Sequence, residues 1–348
     1  MRKVEPIKIR ENMKVSELVG EMEDMGFGAG AVNRASEIMK KMFLDKECEI
    51  FFGVAGAMVP AGMKNIILDM LERTDVFVTT GANLTHDLIE ALGDSHYLID
   101  RPFDDSKLNE HGLDRIYNVV MKNEVYEKLE NFFEVNWDKF KGCKNIKELI
   151  WKIGEILSES TTSPTTAPNL CSLRSQIDKT DNEKNPSIIN SEKSRATLER
   201  ENLNPKMSIL QKCYEKKIPV FCPALADSGI GLMIWGRKAA GKEIFIDAFE
   251  DMKEIIDFAW TSKKNGIIYV GGGTPKNFIQ QSLQFAKGAD YGIQITTDRT
   301  EPGGSSGAPL QEGVSWGKMK EKADFVDVFC DATIALPLIY GAVKDKIK

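Results

Sequence analysis

The spacing of apolar residues changes along this chain. Over residues 14–43 it is helical: Val15, Leu18, Val19 and Met22 share a face, and AVNRASEIMKKMF follows a glycine break at 26–30. From residue 49 short apolar runs take over. Ile50-Phe51-Phe52 reads as a strand, Gly53, Gly56 and Gly62 interrupt it, and helical period resumes from Lys64 to Leu71. The same order recurs in VFVTTGANLTHDLIEAL (76–92), in IPVFCPALADSGIGLMIW (218–235) and in GIIYVGGGTPKNFIQQSLQFA (266–286). Residues 291–298 are a further strand run ending in polar residues, and 325–338 holds a strand that meets Asp331-Ala332-Thr333. A helical stretch is expected at 114–134. A second, amphipathic one is expected at 243–260, with apolar residues at 244, 245, 248, 249, 252, 255, 256 and 259.

The strand runs are continuously apolar rather than alternating, the pattern of a sheet covered on both faces. Strand, small-residue turn and helix in repetition predict an α/β fold. The expected form is a doubly wound, mostly parallel, Rossmann-like sheet with helices on both faces and an N-terminal helical extension over 1–45. In that architecture ligands bind outside the carboxyl ends of the strands, where the small and polar residues gather. Residues 157–206 break the pattern. They are rich in Ser, Thr, Asn and Pro and poor in apolar side chains, which predicts a mobile surface insertion. The syntax is the same on both sides, so 1–348 reads as one domain; a linker between two domains is the alternative.

Composition narrows the class. With 42% hydrophobic and 28% charged residues the chain is an ordinary globular protein. A net charge of −6 argues against a nucleic-acid binder and leaves room for a basic protein or polyamine partner. Six cysteines without C-x-x-C spacing point to reduced thiols in a cytoplasmic protein. The N-terminus is charged from its second residue, unlike a signal peptide. The uncharged runs are too short to span a membrane. His86 has no second histidine at i+4, so no metal is expected.

Candidate chemistry concentrates in RTEPGGSSGAPLQEGVSWGK (299–318). Gly303, Gly304 and Ser305 permit close backbone approach, and the stretch ends in Ser315-Trp316-Gly317-Lys318. A lysine beside an indole is a candidate amine nucleophile, since only the neutral amine attacks carbon. A surface lysine is the alternative. Glu312 could complete an amine pocket by charge pairing. Asp227 and Asp331 end strand runs, either as caps or as partners of a ribose.

Together these segments resemble the deoxyhypusine synthase family. The carriers are GAMVPAGM (56–63), TTGANLTHDLIEALG (79–93), PVFCPALADSGIG (219–231), VGGGTPKNFI (270–279), the 295–318 stretch and DATIALPL (331–338). The ending E-x-x-S-W-G-K is the most specific of them, and the archaeal form is the most similar. The resemblance implies NAD-dependent transfer of the aminobutyl group of spermidine, through an imine on Lys318, to a lysine of the hypusine-bearing translation factor. It also implies a homotetramer with sites across a dimer interface. NAD contacts would come from Gly56, Ala57, Met58, Thr80, Gly81, Ala82, His86, Asp227, Gly272, Thr297, Asp298, Asp331 and Ala332. Amine contacts would come from Gly303, Gly304, Ser305, Glu312, Ser315 and Trp316, with His86 and Asn277. Leu232 and Ser305 stand where eukaryotic members carry acids, Asn277 where they carry a histidine, and His86 where they carry a glutamate. A homospermidine synthase-like transfer to a small diamine such as putrescine is the second reading.

Overall fold

The computed structural model describes residues 1–162 and 207–347. Its centre is a parallel pair. β1 (Cys48–Val54) and β7 (Lys264–Val270) run in register from Cys48 opposite Lys264 to Val54 opposite Val270. β2 (Val76–Thr79) and β6 (Val220–Phe221) add on one side. β8 (Ala289–Thr296) and β9 (Met319–Phe329) add on the other. The order is β6-β2-β1-β7-β8-β9, and every pairing is parallel. The first three strands are laid outward from β1 and the last three outward from β7. The order therefore reverses between those two, and a crevice opens at their carboxyl ends. The expected doubly wound sheet is present.

The helices follow in chain order. α1 (Val15–Glu21) and α2 (Phe27–Leu44) form the N-terminal extension, and α3 (Lys64–Leu71) and α4 (Gly81–Ala91) follow β1 and β2. Next come α5 (Asp105–Glu110), α6 (Val125–Phe140), α7 (Ile146–Thr162) and α8 (Ile209–Glu215). They are followed by α9 (Gly229–Ala239), α10 (Ala248–Thr261), α11 (Gly273–Gln284), the single turn α12 (Glu312–Ser315) and α13 (Ala332–Lys344). Successive strand residues point to opposite faces. Phe52, Val54, Phe77 and Ile268 enter one core with Ile38, Leu84, Leu210 and Ile339. Phe51, Val76, Val78 and Tyr269 enter the other, with Ile255, Phe278 and Leu283. That two-sided burial is why the runs lack alternation. No helix among the described residues is long and apolar enough to cross a membrane.

Three expectations are corrected. Only the later part of 114–134 is helical. β4 (Leu113–Ile116) and β5 (Val119–Lys122) form an antiparallel hairpin, with β3 (Tyr97–Leu98) on the outer edge of β5. Its turn is Tyr117-Asn118, with Tyr117 at φ 55°, and Val119, Val120 and Met121 are buried. The helix expected from 243 begins at Ala248 behind Asp247, whose carboxylate accepts from the Phe249 N–H at 2.8 Å. Phe245 and Phe249, counted on its apolar face, are 81% and 84% exposed. Finally, α7 carries residues 157–162 as helix with Leu157 buried. The remainder of the expected insertion, 163–206, lies outside the described residues.

α7 and α8 meet at Gly154, where an added Cβ would lie 2.3 Å from the Leu210 carbonyl oxygen. Gly154→Ala is expected to destabilise the protein by about 1–3 kcal/mol, because backbone must move to admit the methyl. Urea unfolding checks it through a lower midpoint at unchanged slope.

Candidate functional site

Six strand ends share one edge of the sheet. Gly56, Ala57 and Met58 leave β1; Thr80, Gly81 and Ala82 leave β2. Asp227 follows β6 and Gly272 follows β7, while Thr297 and Asp298 leave β8 and Asp331 and Ala332 leave β9. Because all six strands are parallel, these residues lie along that one edge. Thr80 Oγ1 donates to the Gly56 carbonyl at 2.7 Å and accepts from the Asn83 N–H at 3.2 Å, capping α4. Asn83, missed from sequence, holds the loop after β1. Its Oδ1 accepts from the N–H groups of Met58 (2.7 Å) and Val59 (3.2 Å).

The start of α11 is different. Gly272 at its N-cap offers no side-chain cap, and Gly271 and Gly273 have φ of 72° and 52°. The first N–H groups of a helix have no partner within it. An added Cβ on Gly273 would meet nothing within 4 Å, so this uncapped end faces open space beside the β1 loop. It is a place for an anionic oxygen. Asp331, by contrast, is occupied by capping: it accepts from the Thr333 N–H and Oγ1, each at 2.7 Å. Asp298 accepts from Ser306 Oγ and from the Arg299 N–H at 2.8 Å, and the first of these bonds holds its carboxyl below the usual range. Asp227 is exposed.

The 303–310 loop is clamped from beneath. Lys276, in the first turn of α11, is 1% exposed, and its Nζ donates to the carbonyls of Ser305 (2.7 Å) and Ala308 (2.6 Å). Gln294 Nε2 donates to Ser306 (3.0 Å) and Ala308 (3.3 Å), and Asp327 accepts from the Leu310 N–H at 3.2 Å. Tyr269, Gln294 and Asp327 are register partners on β7, β8 and β9, so they form one polar row under the loop. Burial pulls Lys276 down to about 8; Asp327 and then Glu312 oppose this, and Lys318 adds to it. Sequence reading singled out none of the three clamp residues. A lysine after proline and a glutamine in a strand carry no signal of burial.

Lys318 stands elsewhere in the sheet. It immediately precedes β9, whose first residue, Met319, pairs with Ala289 at the amino end of β8. The sheet separates this backbone position from the strand-end crevice by roughly 20 Å at about 3.3 Å per residue. The expected neighbours of Lys318 are present: its Nζ lies 4.9 Å over the Trp316 ring. Ser315 Oγ is turned back to the Glu312 carbonyl at 2.9 Å, and Trp316 is 55% exposed. Gly303 and Gly304 are exposed, while Ser305 is half-buried and donates to the Gly273 carbonyl at 3.3 Å. Asn277 is half-buried on α11. The Lys318 side chain nevertheless packs toward α11, and its charge acts on Lys276 in the first turn of that helix.

His86 lies three residues after Asn83, on the face of α4 that seats the β1 loop. Its Nδ1 is 2.9 Å from His96 Nε2, and His96 Nδ1 is 3.0 Å from Glu90 Oε1. Lys64 pairs with Glu90 and with Asp87, each at 3.1 Å. Asp87 in turn accepts from Ser208 Oγ (2.6 Å) and the Leu210 N–H (3.0 Å). Burial opposes charge on both Glu90 and Lys64. For Glu90, His96 and Lys64 outweigh it and lower the carboxyl; for Lys64, Asp87 and Glu90 outweigh it and raise the ammonium. Burial, then the neighbouring His96, lowers His86 to about 4.

Comparison with known proteins agrees with this architecture. Residues 17–169 and 170–343 match the family described as "DS: Deoxyhypusine synthase". The chain is 38% identical to "Probable deoxyhypusine synthase 1" of Methanosarcina acetivorans, over 99% of this chain and 95% of that protein. It is 34% identical to "Probable deoxyhypusine synthase 1" of Archaeoglobus fulgidus, over 99% of both. A crystal structure from Entamoeba histolytica with the same family description superposes at a TM-score of 0.58, covering 97% of this chain and 95% of that one. At 18% identity that likeness speaks for the fold alone. The chain belongs to the deoxyhypusine synthase family, a family of transferase enzymes.

Proposed function

We propose that this enzyme transfers the aminobutyl group of spermidine, with NAD as cofactor, to a lysine of the hypusine-bearing translation factor. The observation that carries the reading is the seating of Lys318 against Trp316 in the E-x-x-S-W-G-K segment. An indole face favours a cationic amine and shields one side of it from water. Glu312 on the same turn adds a carboxylate. Lys318 is the nucleophile: its amine attacks an oxidised polyamine carbon, releases 1,3-diaminopropane and holds the butylamine unit as an imine until the acceptor lysine takes it.

The crevice fits a dinucleotide. The uncapped start of α11 suits a phosphate, and the open Gly273 leaves room for it. Gly56 to Met58 and Thr80 to Ala82 line one side, and Thr297 and Asp298 the other. Asp227 is free for a ribose hydroxyl. Bound there, NAD supplies a hydride acceptor early in the cycle and a hydride donor at its end.

The family resemblance implies a multimer, expected as a homotetramer, with sites formed across a dimer interface. Exposed Trp316, Leu232 (56%) and Trp235 (67%) are apolar surface for such contact. Leu232 and Ser305 also leave the pocket without carboxylates at those positions, which favours keeping a small-diamine acceptor as the second reading.

Lys318→Ala is expected to lower transfer by about a thousandfold or more while NAD affinity, read by calorimetry, stays unchanged. Full activity in that variant would sink the mechanism. Incubating enzyme and NAD with labelled spermidine and either the translation factor or putrescine decides the acceptor. Label on the protein is the expected result; label only in homospermidine supports the second reading.

A further inference from the structure

One face of α11 follows the segment that ends in Lys318. Lys276 in its first turn holds the 303–310 loop, and Gln280 stands one turn further on, on the same face. Gln280 is 6% exposed, and among the described residues its side chain makes no hydrogen bond. A buried amide has given up hydrogen bonds to water, so one without a partner leaves an unmet demand. Its surroundings are defined by Gly313 in α12. A Cβ built on Gly313 would lie 3.6 Å from Gln280 Nε2 and 3.5 Å from Lys318 Cβ. The amide and the root of Lys318 thus flank one small gap. The Lys318 N–H donates to the Gly313 carbonyl at 2.8 Å, which ties the lysine to that place. Its charge acts on Lys276, so root and charge alike lie beside this face of α11.

We propose that Gln280 is a positioning residue for Lys318, and that its amide hydrogen-bonds the lysine nitrogen during the transfer cycle. The proposal rests on the function argued above. In that cycle Lys318 passes through forms with opposite demands. An ammonium or a protonated imine offers an N–H, and the free amine offers a lone pair. An amide carries an acceptor and a donor on one carbon, and answers both by turning over. A carboxylate in its place would hold the ammonium and slow attack; an apolar side chain would answer neither form. The charges around the segment come from Lys276 on α11, Glu312 on α12 and Asp327 on β9. A neutral group adds direction without altering that balance. Packing alone would be served by an aliphatic residue, as it is at Ile279 and Leu283 on the same helix.

Two readouts on the full chain test this. The first needs no polyamine. Brief pulses of acetic anhydride are given over a range of pH, and acetylation of Lys318 is counted by peptide mass spectrometry. Gln280→Glu is expected to raise the pH of half-maximal acetylation at Lys318 by about one unit, because a carboxylate within reach favours the ammonium. Lys287, exposed just beyond α11, is expected to keep its profile. An unmoved profile at Lys318 overturns the proposal. The second readout follows the chemistry, with NAD and labelled spermidine, borohydride trapping and a count of label on Lys318. Gln280→Leu is expected to slow labelling about tenfold, with the KM for spermidine and the melting temperature unchanged. A full rate overturns the proposal, and so does a loss of rate matched by a loss of melting temperature. Should Gln280→Leu not fold, the acetylation profile of Gln280→Glu decides. If the unaltered enzyme takes no label from spermidine, the function argued above falls, and the acetylation profile still decides whether Gln280 addresses Lys318.

Discussion

The in-register pairing of β1 with β7 is the constraint on which the molecule depends. It joins two strands more than two hundred residues apart in the chain, and it is where the winding of the sheet reverses. Loops that would otherwise pass over the edge in one direction diverge there. The space between them receives Gly56 from one half and Gly272 from the other. Gly272 is itself under steric demand, because a Cβ there would sit 2.3 Å from the Ser306 backbone. The crevice is thus bounded by backbone on both sides, which suits close approach to a phosphate.

A second constraint is electrostatic. Burying an ammonium costs several kcal/mol unless it is paired. Lys276 meets that cost with two carbonyls from the loop and the nearby Asp327 carboxylate, itself pushed up by burial. The 303–310 loop is glycine- and serine-rich and by composition flexible. Its carbonyls point down to Lys276 and Gln294, so its conformation is set before any ligand arrives. The same loop runs on to Glu312, Trp316 and Lys318, and ties that segment to the crevice.

Much was legible in the sequence for a local reason. Continuous apolar runs followed by glycine or threonine mark buried parallel strands and their carboxyl ends, and these need no knowledge of distant partners. The lysine beside an indole was legible too, because Trp316 and Lys318 are two residues apart. Local periodicity failed where a turn or a neighbour decided the outcome. Tyr117 and Asn118 turned an expected helix into a hairpin, and Phe245 and Phe249 point outward because α10 buries Ile255 and Ala259 instead.

What only the tertiary structure decided is which residues meet across long separations. The sequence by itself determined the sheet class, the strand-end cradle, the lysine segment and the family. It could not show that Lys276 is buried, since burial comes from a loop thirty residues on. Nor could it show that His86 is answered by His96, or that Lys318 leaves the sheet at the end opposite the crevice. Spacing along a chain encodes the period of a strand or helix. Distance and charge between segments arise only when the sheet order brings them together.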